Sequence, residues 1–117
     1  MELVSQVHAL IRKLPSSERY ALASQMRRAS RSIPANIAEG YAKRRSSKEF
    51  CHYLTTAMGS ANEMQVHLRI AAGLGYLDDD SRLSDDYGTV GRQLNKLISS
   101  WRTGPPEAVN QQQATNN

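Results

Sequence analysis

At 117 residues the chain is long enough for one domain with a modest core, and a hydrophobic fraction of 39% leaves much of it solvated. No apolar run approaches the roughly 18 residues that a bilayer span needs, and the first fifteen residues do not resemble a signal peptide. The lone Cys51 excludes an intrachain disulfide, so a soluble cytoplasmic protein without membrane attachment is expected. The net charge of +4 is uneven: residues 12–48 hold ten Lys/Arg against Glu18 and Glu39, whereas residues 49–117 hold five basic and eight acidic residues. Charge alone leaves two readings open, a surface for polyanions and a merely solvated face.

In chain order, four segments carry a helical apolar stripe. Residues 2–14 place Leu3, Val7, Leu10 and Leu14 on one face before Pro15, and Ser16 or Ser17 is placed to cap the second helix. The second segment runs from about 18 to 44, with Leu22, Met26, Ala29, Ile33 and Gly40 in steps of four and three and Asn36 in the remaining slot. Pro34 lies inside this stripe. It removes a backbone donor, and because the spacing stays in phase across it, a kinked continuous helix is favoured over a break recapped by Asn36 with Glu39.

The third segment starts after Ser46 or Ser47 and repeats the same spacing through Phe50, Leu54, Ala57, Ala61, Met64, Leu68 and Ala71. Gly73 and Gly75 suit its C-terminus, with Tyr76 and Leu77 folding back as an apolar clasp. The fourth, roughly 82–102, uses Leu83, Tyr87, Val90, Leu94, Leu97 and Trp101, with Asp78, Asp79 and Asp80 before it at the favourable end of its dipole. Seams of period 3.5, which antiparallel bundles and coiled coils use to bury one face, without period-two alternation predict an all-α domain over residues 1–102. Residues 103–117, polar and non-periodic, read as a disordered tail.

The stretch Ser32–Gly40 (SIPANIAEG) closely resembles the hallmark motif of the bacterial four-helix-bundle family named for proteins encoded in 23S rRNA intervening sequences. Similarity extends through ERYALASQMRRA at 18–29, the KEF start, Gly59-Ser60, Glu63 and LGYL ending within 48–77, and GRQLNKLI at 91–98. The resemblance implies an up-and-down antiparallel four-helix bundle over residues 1–102 that assembles into a homo-oligomer, often a homopentamer. It also relates the chain to the accessory variability determinants of diversity-generating retroelements, which bind a reverse transcriptase and nucleic acid. The departure is the first helix, about 20 Å long against roughly 40 Å for the second, where family members usually carry a longer segment.

Two basic clusters stand out: Arg27, Arg28 and Arg31 within the second helix, and Lys43, Arg44, Arg45 and Lys48 at the turn after it. They are the candidate contacts for RNA or DNA phosphates, alongside a reverse transcriptase or ribonucleoprotein partner. With aromatic residues mostly at seam or cap positions, no stacking platform is expected. Asn36 reads as a polar pin for packing, with Glu63 bordering the third seam to meet either Asn36 or Arg28, and Glu39–Lys43 as an i,i+4 pair. Pro34, Gly40 and Gly59 complete the structural positions.

The enzymatic candidates fail one by one. Cys51 and His52, adjacent on a helix, point about 100° apart and make a poor nucleophile–base pair. Glu63 and His67 lack a third metal ligand, Asp78–Asp80 has Leu83 and Thr89 where a calcium loop needs Gly and Glu, and Gly73-x-Gly75 follows a helix rather than a strand. No catalytic set, metal or cofactor is expected. The sequence therefore points to a non-enzymatic oligomeric scaffold or accessory protein that binds nucleic acid, or alternatively to a purely protein-binding scaffold.

Overall fold

The computed structural model describes residues 2–14, 20–77 and 81–102. These form α1 (Glu2–Ile11), α2 (Ala21–Ala42), α3 (Ser47–Gly73) and α4 (Ser81–Trp101), with no strand among the described residues. Consecutive helices pack on one another, α1 on α2, α2 on α3 and α3 on α4. Bridges between them fix the antiparallel sense. Arg28 meets Glu63 while Ser32 meets Ser60, and Gln65 meets Ser84 while Cys51 meets the Ile98 carbonyl. The expected four-helix bundle is therefore the fold. Pro15–Arg19, the three aspartates before α4 and the tail from Thr103 lie outside the described residues, as do the expected cap at Ser16 or Ser17 and the disordered tail.

The α3 seam is buried at all seven expected positions, from Phe50 to Ala71. Ser46 caps its start by accepting the Glu49 N–H at 3.1 Å. At its end, Gly75 takes φ +77°, which lets Tyr76 N–H reach the Ala71 carbonyl and Gly75 N–H the Ala72 carbonyl, both at 3.0 Å. This 6→1 and 5→2 pair is a Schellman motif, and Tyr76 and Leu77 pack on the core as the expected clasp.

α2 runs unbroken through Pro34, so the continuous helix holds and the recapped break does not. Gly40 is the point of closest approach to α3. A Cβ there would lie 2.8 Å from Tyr53 Cβ and 3.1 Å from Phe50 Cδ1, so only glycine fits. At Gly59, by contrast, a Cβ meets nothing, and packing does not require glycine.

Asn36 is half-buried, and its Nδ2 donates to the Ser32 carbonyl at 2.8 Å and to Ser32 Oγ at 2.9 Å. Ser32 Oγ also accepts from Ser60 Oγ of α3 at 2.9 Å. Asn36 thus reaches α3 through a serine pair rather than through Glu63.

α4 buries Leu83, Tyr87 and Leu94 as expected, with Val90 and Trp101 half-buried against the core, and departs from the expected seam at two places. Ile98 is buried where Leu97 was expected, Leu97 is 37% exposed, and Gly91 rather than Val90 is buried in the seam. Gly88 and Gly91 approach Gln65 and Asn62 of α3, and Gln65 Nε2 donates to the Ser84 carbonyl at 2.9 Å.

Candidate nucleic-acid interface

The arginines of mid-α2 do not form one surface. Arg28 Nη2 donates to both Glu63 carboxylate oxygens on α3, at 3.0 and 3.2 Å, and to Gln25 Oε1 at 2.9 Å. Arg31 lies instead beside α1, its Nη2 3.4 Å from His8 Nε2. One turn therefore sends its cations to opposite flanks, with Arg28 neutralised by its carboxylate. Arg27 is exposed. Of the two partners considered for Glu63, Arg28 is the one it meets.

The turn between α2 and α3 does the opposite. Three hydrogen bonds fold it tightly: Lys43 N–H to the Gly40 carbonyl, Arg44 N–H to Tyr41 and Ser46 N–H to Lys43. Lys43, Arg44, Arg45 and Lys48 are thereby gathered within six residues at one end of the bundle, roughly 22 Å along the helix from Arg28. Arg44, Arg45 and Lys48 are exposed. Lys43 is half-buried, 3.3 Å from Glu39 as the i,i+4 pair and donating to the Tyr53 hydroxyl at 2.9 Å. The bonds to Tyr53 and then to Glu39 hold its ammonium above the usual lysine range, so it stays charged at neutral pH. The N-terminus of α3 adds the positive end of a helix dipole to the same place.

An aromatic group lies under these charges. Phe50 meets Trp101 edge-on at 4.7 Å and Tyr41 at 6.5 Å between ring centroids. Tyr41 is nevertheless 57% exposed, and the Arg44 guanidinium lies 4.0 Å from its ring centre while donating to its carbonyl at 3.0 Å. Tyr41 is an aromatic residue outside the seam and cap positions to which the sequence assigned most of the rings. The signal was a tyrosine off the seam, two residues before the Lys-Arg-Arg run.

The other candidates stay apart. Cys51 Sγ lies 3.8 Å from the Ile98 carbonyl while His52 is exposed. His67 Nε2 is 4.0 Å from Glu63, and no group of three potential metal ligands occurs among the described residues. No described helix is long and apolar enough to cross a membrane.

Comparison with known families matches residues 1–96 to the 23S rRNA-intervening sequence proteins. The chain belongs to this family. A solved structure from Bacteroides thetaiotaomicron, described as a protein with unknown function from the S23 ribosomal protein family, shares the fold at a TM-score of 0.75. It is 23% identical, and the match covers 83% of this chain and 92% of that one. A search of curated proteins gave no match. In this family member the SIPANIAEG motif joins α2 to α3: Ser32 bonds α3, Asn36 braces Ser32, and Gly40 admits Phe50 and Tyr53.

Proposed function

We propose that this chain is a non-enzymatic, oligomeric accessory protein of the cytoplasm that holds the backbone of RNA or DNA on its α2–α3 turn. The observation that carries this reading is the convergence of Lys43, Arg44, Arg45 and Lys48 with the exposed Tyr41 ring on one end of the bundle. Cations that meet phosphates there release counterions, and an exposed ring offers a stacking face to an unpaired base. Arg27 and Arg31 act as outlying charges, and Arg28 serves packing. Assembly into a ring, five-membered by family resemblance, repeats the turn and multiplies weak contacts. A reverse transcriptase or ribonucleoprotein partner fits such an accessory role.

A purely protein-binding oligomeric scaffold is the second reading. It is favoured by Val66, Ile70 and Leu74, large apolar side chains exposed at four-residue spacing along the C-terminal end of α3. The two readings separate in size-exclusion chromatography with light scattering and absorbance at 260 and 280 nm. The nucleic-acid reading predicts an oligomer that carries RNA or DNA at low salt and sheds it at high salt. It also predicts that replacing Lys43, Arg44, Arg45 and Lys48 with Gln abolishes retention while the oligomer persists. An oligomer that ignores added RNA and DNA at low salt leaves only the scaffold.

A further inference from the structure

Arg44 differs from its neighbours in the turn by what lies beneath it. Its guanidinium carbon sits 4.0 Å from the centre of the Tyr41 ring, at van der Waals distance, while Nη1 donates to the Tyr41 carbonyl at 3.0 Å. Two contacts to one residue hold a flat, delocalised cation in place. Tyr41 is itself braced by Phe50, edge-on at 6.5 Å between ring centroids. Arg44 makes no ion pair among the described residues, and both Arg44 and Tyr41 are exposed. Lys43 is the contrast. Its ammonium lies 5.0 Å from the centre of the Tyr53 ring, but it is a point charge and Glu39 already shares it.

A guanidinium can meet a phosphate with its edge or a nucleobase with its face. In Arg44 one nitrogen is committed to the Tyr41 carbonyl and one side to the Tyr41 ring, which leaves the other side of the plane for a ligand. We propose that Arg44 is the base-stacking plane of the turn: an unpaired base of single-stranded RNA or DNA lies on its guanidinium, Tyr41 positions it from beneath, and Arg45 and Lys48 take the flanking phosphates. Arg45 and Lys48 are exposed and carry no ion pair among the described residues, so both are available for that role. The ligand class follows from the plane. A single strand presents bases that can leave their neighbours, whereas a duplex keeps them stacked inside and offers this turn phosphates alone. This inference rests on the nucleic-acid reading of the turn and refines which plane the base meets.

The test titrates the full chain into two labelled strands of about 12 nucleotides, an oligodeoxyadenylate and an abasic strand with the same number of phosphates. Fluorescence anisotropy is expected to show the base-bearing strand bound about tenfold more tightly by the wild type. Arg44→Lys keeps the charge and loses the plane, so this ratio falls about fivefold, while the slope of log affinity against log salt stays that of the wild type. Tyr41→Leu lowers the ratio in the same way, and Tyr41→Phe, which keeps the ring, restores it. Equal wild-type affinities for the two strands overturn the proposal. So does an unchanged ratio in Arg44→Lys, or a Tyr41→Phe variant that behaves like Tyr41→Leu. In each of those cases the turn remains a phosphate surface if replacing Lys43, Arg44, Arg45 and Lys48 with Gln weakens both strands. Absence of binding to either strand at low salt removes the nucleic-acid reading itself, and this inference with it.

Discussion

Mid-α2 and the turn at its C-terminal end carry the same kinds of side chain at similar density, yet only the turn makes them a surface. On the helix, three residues of separation send Arg28 toward Glu63 of α3 and Arg31 toward His8 of α1. In the turn, short backbone bonds gather Lys43, Arg44 and Arg45 at one end of the bundle, with Lys43 against the Tyr53 ring and Arg44 against the Tyr41 ring. At the turn Lys43 shares its charge with Glu39, while Arg44, Arg45 and Lys48 stay exposed.

The largest effect should come from the turn itself. The combined Gln replacement of its four cations is expected to weaken binding of single-stranded RNA about 100-fold at low salt, with an unchanged circular dichroism spectrum. Gly40→Val should rank second. Its side chain would collide with Tyr53 Cβ, near the α3 backbone, and a loss of about 1–3 kcal/mol in urea unfolding is expected. Gly59→Ala, where a Cβ meets nothing, should instead stabilise by up to about 1 kcal/mol.

Tyr41→Ala comes next, with RNA affinity falling about tenfold if the ring stacks on a base, and little change in affinity for duplex DNA. Smaller still, replacing Arg27 and Arg31 with Gln should cost about threefold or less in affinity. An effect equal to that of the turn would break the comparison. The smallest change belongs to Glu63→Gln. Arg28 is 62% exposed in its pair with Glu63, so the stability lost is under about 1 kcal/mol.

Most of the fold was legible because α3 is its spine, and seven seam residues in unbroken 4-3 spacing leave its core face no alternative. α4 was legible as a helix and at Leu83, Tyr87 and Leu94, but not at Gly91 and Ile98. The strict 4-3 spacing selects Val90 and Leu97, whereas the packing turns Gly91 and Ile98 inward. Glycine carries no hydropathy to announce such an approach. The charges of the candidate interface were plain in the sequence, but their pairing was not. Glu63 and His8 lie 35 and 23 residues from the arginines they meet. Tyr41 lies off the seam, and its edge-on contact with Phe50 nine residues later was not legible from the spacing.

The most direct test of the turn as a nucleic-acid surface is fluorescence anisotropy of a labelled single-stranded RNA, titrated with wild type and with the four-Gln turn variant across a salt series. If four phosphates are neutralised at the turn, the plot of log affinity against log salt for the wild type has a slope of about −3, and the variant flattens it toward zero. Identical affinities and slopes for the two proteins would contradict the account and leave the basic turn as a solvated end of the bundle.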